Sequence, residues 1–182
     1  MPRLPLPLAL LLLAGCMSGV ASSRRLRPVT VGEAEAWKGV TRIAVLPPDN
    51  WTTEIGPEYV AWHRAVIAEL LREKGYRTTP LVEVNRFMIR NRFTLAGEVR
   101  IYSMAELAKE LNADAVFFWD ITDAGGRLNV DLVKADGTAL WGTGEVALDL
   151  AYTVPLAHGY RGGDGTMAIA LHEVLRRLPP KP

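Results

Sequence analysis

The chain has 182 residues, of which 49% are hydrophobic, and its 21 basic and 20 acidic side chains leave a formal net charge of +1. A nearly neutral chain lacks the basic excess of a general nucleic-acid-binding protein, and this length suffices to bury one core. Cys16 is the single cysteine, so no disulfide within the chain supports that core.

The N-terminal segment predicts a secretory signal peptide over residues 1–15. Arg3 precedes an apolar run from Leu4 to Leu13, and two small residues then precede Cys16. A membrane-spanning helix needs about 20 apolar residues, roughly twice this run, so a retained transmembrane helix is not expected.

The stretch Leu13-Ala14-Gly15-Cys16 resembles the lipobox of bacterial lipoproteins, in which the thiol is diacylated and the chain is cut before the cysteine. The resemblance implies that Cys16 is the lipidation site and that acyl chains hold the protein on a membrane. Met17, where aspartate would suggest inner-membrane retention, favours the outer membrane and a periplasm-facing protein. The alternative is a secreted protein cut elsewhere, which would leave an unpaired thiol in an oxidising compartment.

Residues 16–40 are predicted to be a lipidated tether, and residues 41–182 a single domain. The tether carries Arg24, Arg25 and Arg27, for which a solvated role is favoured and contact with anionic head groups is the alternative. Near its end, residues 31–39 predict a short helix that Trp37 docks onto the domain.

The first half of the predicted domain alternates strands with helices. Arg42–Leu46 predicts a strand that Pro47-Pro48 ends, because proline cannot donate to a ladder. Apolar residues from Tyr59 to Leu71 recur at helical spacing. Residues 76–80 predict a second strand, and residues 84–93 a second helix.

The second half predicts a helix, three strands and a final helix. Ser103 and Glu106 form a capping box at a helix start. Strands follow over 115–119, 128–132 and 140–150, joined by turns at Gly125-Gly126 and at 135–138. Residues 166–178 predict the last helix. The order β-α-β-α-α-β-β-β-α predicts an α/β (α+β) domain with one mixed sheet and helices mainly on one face.

No catalytic set, metal site or cofactor site emerges from the residue pattern. His172-Glu173 begins like a zinc-protease motif, but Arg176 stands where the second histidine belongs. Asp120, Asp131 and Asp149 leave a carboxylate pair open as an alternative to a role at strand ends or on the solvent face. The sequence therefore predicts a protein that is not an enzyme.

Three aromatic residues are the predicted partner-binding side chains: Trp51, Tyr59 and Trp141. Trp51 and Tyr59 lie in or beside the loop after the first predicted strand. Strand alternation places Trp141 on the face opposite to Leu140, where it is either exposed or covered by a helix. Aromatic side chains of this kind are enriched among interface hot spots. The other tryptophans, Trp37, Trp62 and Trp119, are predicted to lie in the core.

Five segments together resemble one group of bacterial lipoproteins. They are Ile43–Pro48, Glu83–Phe87, Phe93–Gly97, Glu106–Val116 and Leu132–Trp141. The group includes the curli secretion channel subunit, the activator lipoproteins of penicillin-binding proteins, and uncharacterised lipoproteins. The resemblance spans roughly residues 41–145 and implies a fold like the N-terminal domain of the periplasmic Tol translocation protein.

The resemblance implies a non-enzymatic accessory module of an envelope complex for export, transport or wall synthesis. Its expected partners are the membrane, through the lipid, and an envelope protein or further copies of the chain; no nucleic acid is expected. The alternative is an oligomeric outer-membrane secretion channel subunit. Channel members carry extra segments that form membrane-spanning hairpins, whereas residues 81–101 here contain Arg86, Arg90 and Arg92 and predict a helix followed by a loop.

Overall fold

The computed structural model describes residues 30–49, 57–122, 127–143, 146–147 and 171–182. Several predictions concern residues outside these ranges: the signal peptide, lipidation at Cys16, the contact residue Trp51, the Gly125-Gly126 turn and the carboxylate of Asp149.

The described strands form one mixed sheet. They are β1 (Thr30–Val31), β2 (Arg42–Val45), β3 (Arg77–Thr78), β4 (Ala115–Thr122), β5 (Arg127–Lys134), β6 (Ala139–Gly142) and β7 (Val146–Ala147). Their order across the sheet is β1-β6-β5-β4-β2-β3, and β7 pairs with β5. Strand β2 runs parallel to β3 and β4, whereas the other pairs are antiparallel.

The helices are α1 (Pro57–Glu73), α2 (Leu81–Arg90) and α3 (Met104–Glu110), with 3-10 helices at Ala34–Trp37 and Ala96–Ile101. Residues 171–175 are also helical and are called α4 below. This order confirms the predicted α+β class. The segment 81–101 is a helix followed by a turn and a 3-10 helix, as the sequence indicates.

Helices cover both faces of the sheet, which differs from the expectation of helices mainly on one face. Ile43 and Phe117 pack with α1 and α4 in one cluster, here the α1-side core. Their chain neighbours Ala44 and Val116 pack with α2 and α3 in a second cluster, the α2-side core. Because successive strand residues point to opposite faces, the apolar run in β4 needs a cover on each side.

The folded part begins before residue 41. Strand β1 pairs with β6, with Thr30 opposite Gly142 and Val31 opposite Trp141. The 3-10 helix that follows places Trp37 in the α1-side core, which confirms the predicted docking of this segment. The described fold therefore includes residues 30–40, which the sequence analysis assigned to the tether.

Local hydrogen bonds fix the ends of several elements. The predicted capping box is present, because the Ser103 hydroxyl accepts from the Glu106 amide and the Glu106 carboxylate accepts from the Ser103 amide. At the start of β2, one oxygen of Asp114 accepts from the Thr41 amide, the Thr41 hydroxyl and the Arg42 amide, each at 2.8 Å. Burial by itself raises the pKa of Asp114, but these hydrogen bonds outweigh it and lower the pKa overall.

Candidate interaction surface

Trp141, one of the predicted partner-binding residues, lies in the core, because only 1% of it is exposed. Of the two possibilities that the sequence leaves open for Trp141, the structure shows the buried one. The register between β5 and β6 is irregular: Leu132 pairs with Trp141, while Val133 pairs with Ala139. This irregularity lets the consecutive residues Leu140 and Trp141 both enter the α1-side core. Simple alternation, on which the prediction rested, fails at a bulge.

Tyr59 is partly buried and packs against the α1-side core, so part of this predicted contact residue remains accessible. Its backbone carbonyl lies 2.8 Å from Nδ1 of His63, and the two rings lie 3.9 Å apart. His63 is fully buried, and its ring also contacts Trp62 edge-on at 4.6 Å. A rigid base of buried ring atoms therefore supports the start of α1.

Trp62 was predicted to lie in the core, and that prediction is wrong, because 36% of the residue is exposed. Helical periodicity places it beside the buried positions without deciding which edge of the apolar stripe faces solvent. Tyr59, Trp62 and His63 together are called the aromatic corner below. It lies where α1 begins, directly after residues 50–56.

Arg64 is a buried cation that lies between α1 and α2 at the margin of the sheet. Its Nη2 donates to the carbonyl of Val45 at 3.0 Å, and its Nη1 donates to Oδ1 of Asn85. Strand β3 ends at Thr78, so the Val45 carbonyl lies beyond the ladder that β3 supplies. Burial lowers the pKa of Arg64 to about 10. The side chain completes the sheet edge and links both layers, which is a structural role.

The outward face of α2 carries apolar side chains in water. Val82 and Ile89 are 53% and 75% exposed, and Arg86 between them is exposed as well. These residues recur at i, i+4 and i+7, which is one side of a helix. Val84, Phe87 and Met88 occupy the other side and lie in the α2-side core. Val82, Arg86 and Ile89, with Arg92 just after the helix, are called the α2 ridge.

The 3-10 helix at 96–101 lies next to the end of α2. The Tyr102 ring packs 5.7 Å from the Phe87 ring, and its hydroxyl donates to Oδ1 of Asn91 at 3.0 Å. Ile101, directly before Tyr102, is 77% exposed. This surface was missed by the sequence analysis. Apolar residues on both faces of α2 could have predicted it, because only one face of the helix can pack against the sheet.

Two arginines near the ridge are engaged by carboxylates. Arg90 pairs with Glu110 of α3, and Arg100 pairs with Asp49. Arg86 and Arg92 form no ion pair with any residue in the described ranges. Arg92 also has a positive φ of 59°, a backbone conformation that favours glycine at the end of a helix.

Two of the three aspartates considered as a possible carboxylate pair, Asp120 and Asp131, lie on paired strands. Asp131 lies opposite Phe118, and Asp120 lies opposite Asn129, so the two residues lie two rungs apart on the same face of β4 and β5. Burial raises the pKa of Asp131, and the nearby Arg100 opposes that shift. Within the described part of the chain, no three His, Cys, Asp or Glu side chains are grouped to hold a metal ion. Nor is any described helix long and apolar enough to cross a membrane.

Comparison with solved structures shows the fold of this chain. Lipoprotein GNA1162 from Neisseria meningitidis is similar with a TM-score of 0.53 and 21% identity, over 76% of this chain and 96% of that one. At this identity the likeness concerns the fold alone. The sheet and its helices are therefore an arrangement also found in a bacterial lipoprotein.

A PelC dodecamer from Paraburkholderia phytofirmans is a more distant structural neighbour in two crystal forms. The TM-scores are 0.47 and 0.45, each at 20% identity, over 84% and 81% of this chain and 96% and 92% of those chains. At such TM-scores the likeness carries no argument. No protein-family model matches the sequence, and no curated relative matches it.

Proposed function

We propose that this chain is a lipid-anchored, periplasm-facing accessory module that binds a protein partner within a cell-envelope complex for export, transport or wall synthesis. The lipobox-like stretch before Cys16 supports an anchor in the outer membrane. A lipoprotein of similar fold, GNA1162, supports the combination of such an anchor with this domain.

A binding role is favoured over a catalytic one by how the described polar groups are used. Asp114 holds the start of β2, Arg64 completes a sheet edge, and the Thr79 hydroxyl donates to the Leu111 carbonyl at 2.9 Å. Each of these buried or half-buried groups stabilises backbone rather than facing a cleft. The proposal is therefore that the protein is not an enzyme and needs no cofactor.

The observation that carries the partner-binding proposal is the aromatic corner. Trp62 presents a partly exposed indole on the buried ring of His63, and half-buried Tyr59 lies beside it. Aromatic side chains held on a rigid base lose little conformational entropy on binding and dominate interface energies. Trp51, in the segment directly before α1, is proposed to contribute to the same surface.

The test is photocrosslinking in cells, with the crosslinker placed at Glu58 on the first turn of α1. Trp62→Ala is expected to lower recovery of the crosslinked partner at least fivefold, because it removes the central aromatic contact. Arg72→Gln, exposed on the last turn of the same helix, is the matched control and should leave recovery unchanged. Equal recovery from both variants and the native chain would contradict the proposed surface.

Two further measurements test the proposed lipid anchor and the alternative function as an oligomeric channel. Cys16→Ser should move the protein from the membrane fraction to the soluble fraction, and continued firm membrane association would contradict the proposed lipid anchor.

Native mass spectrometry of the detergent-extracted protein tests the alternative function, an oligomeric secretion channel. A closed assembly of many copies without another protein would favour that channel over the accessory module.

A further inference from the structure

We propose that the α2 ridge docks onto the anionic phospholipid surface of the membrane that holds the lipid anchor. The inference rests on the proposed anchor and adds a second, protein-mediated membrane contact. It assigns the bilayer to one side of the sheet and leaves the other side for the protein partner.

The ridge combines apolar tips with cations on one helix face. Val82 and Ile89 are two turns apart and both more than half exposed, and Arg86 projects from the turn between them. A helix that lies in a membrane interface buries short apolar side chains beneath the head groups while its cations stay at the phosphates. The i, i+4, i+7 spacing places these three side chains so that one shallow insertion engages all of them.

Charge favours phosphate groups as the ligands of this surface. Neither Arg86 nor Arg92 forms an ion pair with a carboxylate in the described part of the chain. Both guanidinium groups can therefore make bidentate contacts with phosphate. Glu98 is turned back onto its own segment, where it accepts from the Leu95 amide at 2.8 Å. Glu83 is the acidic residue exposed on α2 itself, so the ridge keeps a net positive charge.

The composition of the ridge differs from that of the aromatic corner. Its exposed apolar residues are aliphatic, and Ile101 on the adjoining 3-10 helix extends the same character. The α2-side aromatic rings Phe87 and Tyr102 pack against one another beneath this surface. Aliphatic tips with flanking guanidinium groups fit a fluid lipid surface, which requires no matching pocket.

The segment between the proposed anchor and the fold allows this orientation. Fourteen peptide steps from Cys16 to Thr30 reach at most about 50 Å, at 3.3–3.6 Å per residue. That distance exceeds the width of about 37 Å expected for a domain of this size. Any face of the domain can therefore meet the bilayer, and the residues on the surface decide which one does.

Docking through α2 would leave the aromatic corner accessible. Helices α1 and α2 cover opposite faces of the sheet, as their separate cores show. A bilayer under α2 therefore lies on the far side of the sheet from α1. Weak contacts suffice, because the lipid already holds the domain at high effective concentration near the surface.

The test uses the full lipidated chain in vesicles, with a fluorophore on a single engineered cysteine. In a chain acylated at Cys16 as proposed, Glu83→Cys beside the ridge supplies the one reactive thiol. Glu69→Cys on α1 is the matched control, since Glu69 is also an exposed helical glutamate. Brominated lipids in the bilayer quench a fluorophore that lies close to the membrane surface.

At Glu83→Cys, quenching is expected to be at least twofold greater in phosphatidylethanolamine–phosphatidylglycerol vesicles than in phosphatidylcholine vesicles. It should fall to the neutral-vesicle level in 0.5 M salt or when Arg86→Gln and Arg92→Gly are added. Quenching at Glu69→Cys should be low in both kinds of vesicle. Circular dichroism of the variant that carries both arginine substitutions is the control for its fold and should match that of the native chain.

Three results would overturn the docking proposal. The first is equal quenching at the two labelled positions. The second is quenching at Glu83→Cys that changes neither with the charge of the lipids nor with the salt concentration. The third is a signal that follows protein density rather than lipid charge, which would assign the ridge to a second copy of the chain. Flotation distinguishes the two proposals, because a chain that fails to float with vesicles contradicts the anchor itself.

Discussion

The two sides of the sheet differ in how completely they are covered. The α1-side core takes residues from β2, β4, β5 and β6, and includes Trp37, Trp119 and Trp141. The α2-side core takes its fully buried strand residues from β2 and β4, and on this face β5 carries the half-buried Asn129 and Asp131. Oδ1 of Asp131 lies close to Gly142, because a Cβ added at Gly142 would lie only 2.6 Å from that oxygen.

This difference separates stability from interaction. Buried apolar area stabilises a fold roughly in proportion to its extent, so the larger core supplies most of the hydrophobic stabilisation. The smaller core leaves apolar and cationic side chains in water on the outside of α2. Changes within the α1-side core should therefore act mainly on the free energy of unfolding, whereas changes at the exposed aromatic corner and on the outside of α2 should act mainly on binding.

Trp141→Ala should produce the largest loss, about 3–5 kcal/mol in the free energy of unfolding, because it opens a cavity in the α1-side core. Trp62→Ala removes the same side chain from a partly exposed position and should cost less than about 1 kcal/mol. Urea unfolding of both variants measures the contrast. Similar losses for the two tryptophans would contradict the burial described for them.

Arg64→Ala should cost about 2–3 kcal/mol, since it leaves the Val45 carbonyl without its donor and separates α1 from α2. Asn85→Ala removes the side-chain oxygen that accepts from Nη1 of Arg64. Because Asn85 is exposed and water can replace this acceptor, the loss should be about 1 kcal/mol. A double-mutant cycle between these positions measures their coupling. Additive losses would show that Arg64 does not link the two layers through Asn85.

Asp114→Asn and Asp131→Asn should shift the free energy of unfolding in opposite directions. The lowered pKa of Asp114 means that its carboxylate stabilises the fold above an unfolded pKa of about 4, and that this stabilisation disappears as pH falls through the folded pKa. Asp114→Asn should therefore cost about 1–2 kcal/mol at pH 7 and flatten the acid limb of the stability profile.

The raised pKa of Asp131 has the reverse consequence, because ionisation of this carboxylate opposes folding at pH values above its folded pKa. Asp131→Asn should raise the free energy of unfolding at pH 7 by up to about 0.5 kcal/mol. Thermal unfolding between pH 3 and 7 tests both variants. A loss at neutral pH for Asp131→Asn would show that the electrostatic attraction of its carboxylate to Arg100 outweighs its burial.

Arg92→Gly should have the smallest effect, a gain of about 0.5 kcal/mol, because glycine adopts the positive φ at this helix end without a Cβ penalty. Arg92→Ala keeps that penalty and serves as the control, so its unfolding temperature should stay near that of the native chain. A lower unfolding temperature for Arg92→Gly would mean that the arginine side chain itself stabilises the fold.

Features set by neighbouring residues were predictable. The capping box of Ser103 and Glu106 is an arrangement within one helical turn, and it is present. The turn at 135–138 places Gly137 at a φ of +88°, as a residue without a Cβ allows. The partner-binding residues were less predictable, because exposure depends on what packs over a side chain rather than on its neighbours in the chain.

The sequence by itself determined the order of helices and strands from β2 to β6, the ends of several of them and the presence of one mixed sheet, because periodicity and capping act over a few residues. Only the tertiary structure decided that Trp141 is buried, that helices cover both faces, and that Arg64 completes the sheet edge. Those outcomes depend on a β-bulge and on contacts between distant segments, and residue spacing carries no information about which distant groups will meet.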